Sequence, residues 1–201
     1  KTCNRQTFWN GSFRRIHTRK MKYKTCISIA EKTPYKIKQT LKIALKKSDY
    51  AEIRFDFLKK EHIPKTLEMV KKNLKRSVCT LRPKTEGGRF EGSEKERIAI
   101  LKLISEYNPF LLDVEFNTIK KNRDLAKYLK LTKTKLLISW HDFKKTQRFS
   151  ELKYQMKKMA KYSSIVKIVT TAKTVDDTIR VLQLYSKKEK ISLIAFSMGD
   201  A

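Results

Sequence analysis

The 201-residue sequence predicts an α/β fold of the (β/α)8 TIM-barrel class, truncated at its C-terminus after the seventh strand. Three observations lead there. Short β-branched runs alternate with helical patterns along nearly the whole chain. Successive runs begin about 24 to 34 residues apart, the repeat of a βα unit. No glycine-rich phosphate turn follows the first run, where CISIAEK stands, which argues against a dinucleotide-binding sheet and favours a barrel. A complete barrel has eight units and about 250 residues; seven strand runs are present here, and the chain stops at SMGDA.

The strand runs fall at 24–29, 50–55, 77–81, 111–116, 135–140, 165–169 and 192–197. Helices are expected between most of them. Thr33 followed by Pro34 offers a cap and a first-turn proline ahead of Ile37, Leu41, Ala44 and Leu45. Pro64 opens a second helix through Leu67 and Val70, and Ser93 with Glu96 forms a capping box before Ile98, Leu101 and Ile104. Leu125 and Leu129 mark a weaker helix. Ser150 precedes Leu152, Met156 and Met159, and Thr174 precedes Val175, Ile179 and Leu182. The two methionines fit core positions.

Composition narrows the class. No run of 18 or more apolar residues occurs, so no membrane span is expected. Three scattered cysteines make neither a disulfide framework nor a zinc site; Cys26 and Cys79 lie in apolar runs, where a thiol acts as a small hydrophobe, and a reducing cytoplasmic setting follows. The net charge of +28 invites a nucleic-acid reading. However, 36 of the 48 basic residues are lysines spread along the helices, with no interleaved aromatic platform, so a solvated surface is the better reading. Residues 1–20 carry six basic and no acidic residues and show no periodicity; they are read as a leader outside the fold, with the barrel domain spanning 21–201.

Barrel chemistry gathers at the C-terminal ends of the strands. There the sequence places Ser28, then Glu52 and Arg54 on one strand face with Asp56 beyond, then Arg82 and a loop with Glu86-Gly87-Gly88. Asp113 and Glu115 follow on the fourth strand, Ser139-Trp140-His141-Asp142 on the fifth, Lys167 inside the sixth and Ser197-Met198 on the seventh. Lys167 is conspicuous: it interrupts the run SSIVKIVT, whose two faces are otherwise apolar. A buried ammonium is costly unless paired, neutralised or used, whereas on an edge strand it could simply snorkel.

The chain from Met21 onward resembles the type I 3-dehydroquinate dehydratases, Schiff-base-forming enzymes of the shikimate pathway. The resemblance rests on Ala51-Glu52-Ile53-Arg54-Phe55-Asp56, Thr80-Leu81-Arg82 with Glu86-Gly87-Gly88, Asp113-Val114-Glu115, Leu137-Ile138-Ser139-Trp140-His141-Asp142-Phe143, Val166-Lys167-Ile168 and Phe196-Ser197-Met198, in family order across about 180 residues. It departs from the family pattern at Phe116, Trp140 and Gln147, none of them a reacting group.

The resemblance implies that Lys167 forms an imine with the ketone of 3-dehydroquinate, that His141 is the general acid and base, and that Glu86 orients His141. It implies that Ser28, Glu52, Arg54, Arg82 and Met198 line the substrate site, that no metal or cofactor is required, and that the protein is a homodimer acting on a small molecule, with no nucleic acid or membrane partner. The family's further substrate-binding arginine, serine and glutamine, which follow the seventh strand, are not among these residues. On that reading a chain ending here is expected to be unstable or nearly inactive. Two other functions stay open on the residues alone: another class I Schiff-base lyase or aldolase on the same fold, and a basic polyanion-binding or non-catalytic remnant. The Glu-x-Arg-x-Asp run and the Ser-Trp-His-Asp loop favour the dehydratase.

Overall fold

A computed structural model describes residues 24–185 and 190–199; the leader assigned to 1–20 lies outside the described residues. The chain runs β1 (Cys26–Ile29), α1 (Pro34–Lys47), β2 (Tyr50–Arg54), α2 (Ile63–Val70), β3 (Ser77–Thr80), α3 (Glu94–Glu106), β4 (Leu111–Glu115), α4 (Phe116–Lys121), α5 (Arg123–Leu131), β5 (Leu136–His141), α6 (Phe149–Ala160), β6 (Ile165–Thr171), α7 (Val175–Leu182) and β7 (Ser192–Met198). The seven strands form one sheet in the order β1 to β7, every neighbouring pair parallel. Sequential parallel order with a helix in each crossover is barrel topology, and the expected fold class holds.

The period-two geometry of the strands sorts side chains into two layers. The outer layer carries Ala51, Ile53, Cys79, Leu112, Val114, Ile138, Val166 and Ile168, each 0% exposed under the helices. The helices meet it with Ile37, Leu41, Leu67, Val70, Leu101, Ile104, Leu125, Leu129, Leu152, Met156, Met159 and Val181. Both methionines are therefore core. The inner layer is the polar one: register pairs Ser28 with Glu52, Thr80 with Asp113, Glu115 with Ser139, and Ser139 with Lys167.

The expected caps form at three helices. Thr33 accepts from the Lys36 amide with Pro34 at the first turn, and Ser93–Glu96 and Thr174–Asp177 close capping boxes. At α6 the start differs: the helix begins at Phe149 rather than behind Ser150, because the Glu151 carboxylate accepts from the Arg148 amide at 3.0 Å. The 111–116 run also divides. Strand β4 ends at Glu115, and Phe116 opens α4, a turn that the apolar pattern did not distinguish from strand. Cys79 is buried as expected, but Cys26 is exposed, because among the described residues β1 pairs on one side only.

Candidate active site

The interior is built from β2 to β6 and the segment that follows β3. His141 is the last residue of β5, and its Nδ1 lies 3.1 Å from Oε2 of Glu86. Glu86 ends a 3-10 turn, Lys84–Glu86, whose geometry depends on the two glycines behind it. Gly87 sits at φ +73°, in the left-handed region, and a Cβ there would lie 2.3 Å from the Phe143 ring. A Cβ on Gly88 would lie 2.0 Å from the Arg82 carbonyl oxygen. The loop thus folds tightly over Arg82, with the Gly88 amide donating to the Pro83 carbonyl at 2.9 Å.

A carboxylate only accepts hydrogen bonds, so its contact with Nδ1 fixes the histidine tautomer: Nδ1 carries the proton and Nε2 keeps a free lone pair. Burial pulls the His141 imidazole below the ordinary histidine value against the Glu86 hydrogen bond, and Arg82 and Lys167 add to the lowering while Asp113 opposes it. The ring is stacked at 6.2 Å on Phe143. A neutral imidazole held by one nitrogen, with the other open to the interior, is equipped to take a proton.

Lys167 stands mid-strand on β6, its Nζ 4.0 Å from Asp113 Oδ2. Asp113 is completely buried and shared: it also accepts from Arg82 at 2.5 Å and from the Ser139 hydroxyl at 2.5 Å. Arg82 is 4% exposed and donates in addition to Glu115 at 2.8 Å and Ser139 at 2.6 Å. Burial disfavours its guanidinium charge, but Asp113 and Glu115 more than offset this and hold it protonated. Burial also disfavours ionised Asp113, and Arg82 and Lys167 reverse that effect, leaving the carboxyl below its usual range. Glu115 completes the cluster by accepting from Arg97 of α3 at 2.7 Å. Arg97 in turn donates to the Leu81 carbonyl at 3.1 Å and to Thr118.

The structure therefore brings Lys167, His141, Glu86 and Arg82 to one interior, with Arg82 engaged in the Asp113–Glu115–Ser139 cluster. Glu52 accepts from Thr80 at 2.7 Å on the same face. Arg54 is turned to Asp56, with bonds of 2.8 and 2.7 Å, and stacks over Phe57. Ser28 is exposed on β1 beside Glu52. Met198, Phe196 and Ile194 share the inner face of β7, register-paired with Thr171, Val169 and Lys167. Sequence reasoning gave Asp113 and Glu115 no role and missed Arg97 and Asn117, whose amide donates to Glu86 Oε1 at 3.2 Å. No local signal marks an arginine or asparagine on a helix as reaching into a neighbouring site. Among the described residues no group of three His, Cys, Asp or Glu side chains is arranged to hold a metal, and no helix is long and apolar enough to cross a membrane.

Known proteins resemble this chain in sequence and in fold. A family model described as type I 3-dehydroquinase matches residues 25–201. A 3-dehydroquinate dehydratase of Methanococcus maripaludis is 34% identical over 179 residues, covering 88% of this chain and 79% of its own. One from Pyrococcus abyssi is 34% identical over 160 residues, covering 79% and 72%. The fold is similar to the crystal structure of 3-dehydroquinate dehydratase from Geobacillus kaustophilus, with a TM-score of 0.79 at 22% identity, covering 89% of this chain and 75% of that one.

Proposed function

This chain belongs to the type I 3-dehydroquinase family, and from that membership we propose that it dehydrates 3-dehydroquinate to 3-dehydroshikimate, a step of the shikimate pathway, through an imine on Lys167. One observation carries the reading: Lys167 and His141 face the same interior from adjacent strands, two residues apart in register. One strand spacing and two residues along the strand separate their Cα atoms by roughly 8 Å, room for a six-membered ring between the two side chains.

The chemistry follows from the groups. The Lys167 amine adds to the ketone carbon, and the carbinolamine loses water to give a protonated imine. His141 Nε2 then takes a proton from the carbon beside the imine, whose nitrogen accepts the electron pair as an enamine. The same imidazolium returns that proton to the departing hydroxyl, so water leaves and a conjugated imine remains. Water hydrolyses it, freeing the product and the amine; the net change is loss of one water. Glu86 keeps Nε2 aimed at the ring during both transfers, by the orienting logic of a carboxylate behind a catalytic histidine. Glu52 offers an acceptor to a substrate hydroxyl, Arg82 and Arg54 offer donors, and Ser28 and Met198 border the ring. A homodimer, the assembly the resemblance implies, is checked by sedimentation equilibrium.

Borohydride reduction in the presence of 3-dehydroquinate tests the mechanism. The expected result is a stable adduct on the peptide containing Lys167, absent from Lys167→Ala. No adduct, or an adduct formed only with aldol substrates, would overturn the reading and favour a class I aldolase.

A further inference from the structure

We infer that Asn117 is a positioning residue for the acid–base histidine, acting through Glu86; the inference rests on the role proposed above for His141. Glu86 has two carboxylate oxygens and a different partner on each. Oε2 faces His141 Nδ1 at 3.1 Å, and Oε1 accepts from the Asn117 side-chain amide at 3.2 Å. A carboxylate held at one oxygen can swing about its Cγ–Cδ bond; held at both, it presents one fixed acceptor direction to the imidazole. Glu86 is 7% exposed, and Asn117 is its only side-chain partner besides His141 among the described residues.

The position of Asn117 explains why the restraint comes from there. It lies in the first turn of α4, directly after Glu115, so the strand that supplies Asp113 and Glu115 to the interior also delivers the amide to the outer side of Glu86. Glu86 and Asn117 together line a cleft of about 420 Å³ that also includes Glu94, Arg97 and Lys121. Without the amide, Oε1 would turn to this cleft and accept from water, and the carboxylate could rotate away from His141. The charged groups facing His141 are Glu86, Arg82, Asp113 and Lys167. Asn117 adds none, so it fixes direction while leaving the local charge alone.

Asn117→Ala and Asn117→Asp separate this role from a structural one; the side chain is exposed, so neither change disturbs the core. In Asn117→Ala, kcat is expected to fall about tenfold with KM unchanged, as for loss of a group that orients a functional side chain. Asn117→Asp places a second carboxylate against Glu86. The titration of His141, followed by imidazole nitrogen NMR in the resting protein, is then expected to move upward, carrying the acid limb of the pH profile with it. An unchanged His141 titration in Asn117→Asp together with an unchanged kcat in Asn117→Ala would overturn the inference. Borohydride trapping on Lys167 is run in parallel. Loss of the adduct in the unsubstituted protein counts against the imine mechanism, whereas an intact adduct with unmoved His141 counts against Asn117 alone.

Discussion

Replacing Arg97 by methionine removes a guanidinium that is 1% exposed and tied to three elements. The structure allows the cost to be apportioned. Its bond to Glu115 Oε2 at 2.7 Å joins two fully buried groups, and burial pushes the Glu115 carboxyl up to about 7 against the pull of Arg82 and Arg97. Glu115 keeps Arg82 on its other oxygen at 2.8 Å, so its charge is not stranded, and the loss is that of one charged hydrogen bond, about 1.5–3 kcal/mol. The Leu81 carbonyl and the Thr118 hydroxyl lose their donor, adding about 1–2 kcal/mol for buried acceptors left unpaired. The pair with Glu94 contributes under about 1 kcal/mol, since Glu94 is half exposed. Methionine's apolar stem returns about 1 kcal/mol by filling the same channel. The net is about 3 kcal/mol. For a chain of this size that lowers Tm by about 6–12 °C and shifts the urea midpoint with the slope unchanged. Glu94→Ala is the control, expected to cost about 1 kcal/mol or less. If Arg97→Met costs no more than Glu94→Ala, the buried network is not what holds α3 to the sheet.

Three further outcomes are expected. His141 titrates below its ordinary value of 6.5, so its contribution to stability is constant above pH 6.5 and is lost as pH falls through the folded-state value; denaturation curves of His141→Gln should lack that acid slope. Gly87→Ala forces a side chain into φ +73° and a Cβ against Phe143, costing about 1–2 kcal/mol from the backbone alone; a thermal midpoint within a degree of the parent would contradict the left-handed assignment. Ser93→Ala opens the capping box of α3 and should cost about 1 kcal/mol, visible in the same melts.

The strands and most helix starts were legible because their signals are local: period-two apolar runs, Thr33-Pro34, Ser93 with Glu96, Thr174 before Val175. Where a signal was shared by two conformations, legibility failed. Phe116 extends an apolar strand run and equally well opens a buried helix, and its pattern could not say which. The start of α6 shifted because a glutamate reaching back competes with a serine cap. The candidate site was legible as a set of chargeable residues at strand ends, because barrel geometry makes that set converge. Its internal wiring was not. That Arg82 spends three of its donors on Asp113, Glu115 and Ser139, and that Arg97 enters from α3, depend on distances between elements 16 to 57 residues apart in the chain. Cys26 illustrates the converse limit: its neighbours read as a buried strand, but burial of an edge depends on what lies beside it, which a strand's own residues do not encode.

Strand order and chain order coincide in this sheet, and that bears on how the chain is made. Among the described residues each strand after β1 pairs with the one synthesised just before it, and loop closure spans one βα unit at a time. During elongation the sheet can grow at a single moving edge, with each arriving helix covering the outer layer of the strand before it. At any moment the newest strand presents one unpaired edge, as β1 does among the described residues. β7, SLIAFSM, bears no charge, so no charged side chain along it deters edge-to-edge pairing while it is the newest strand.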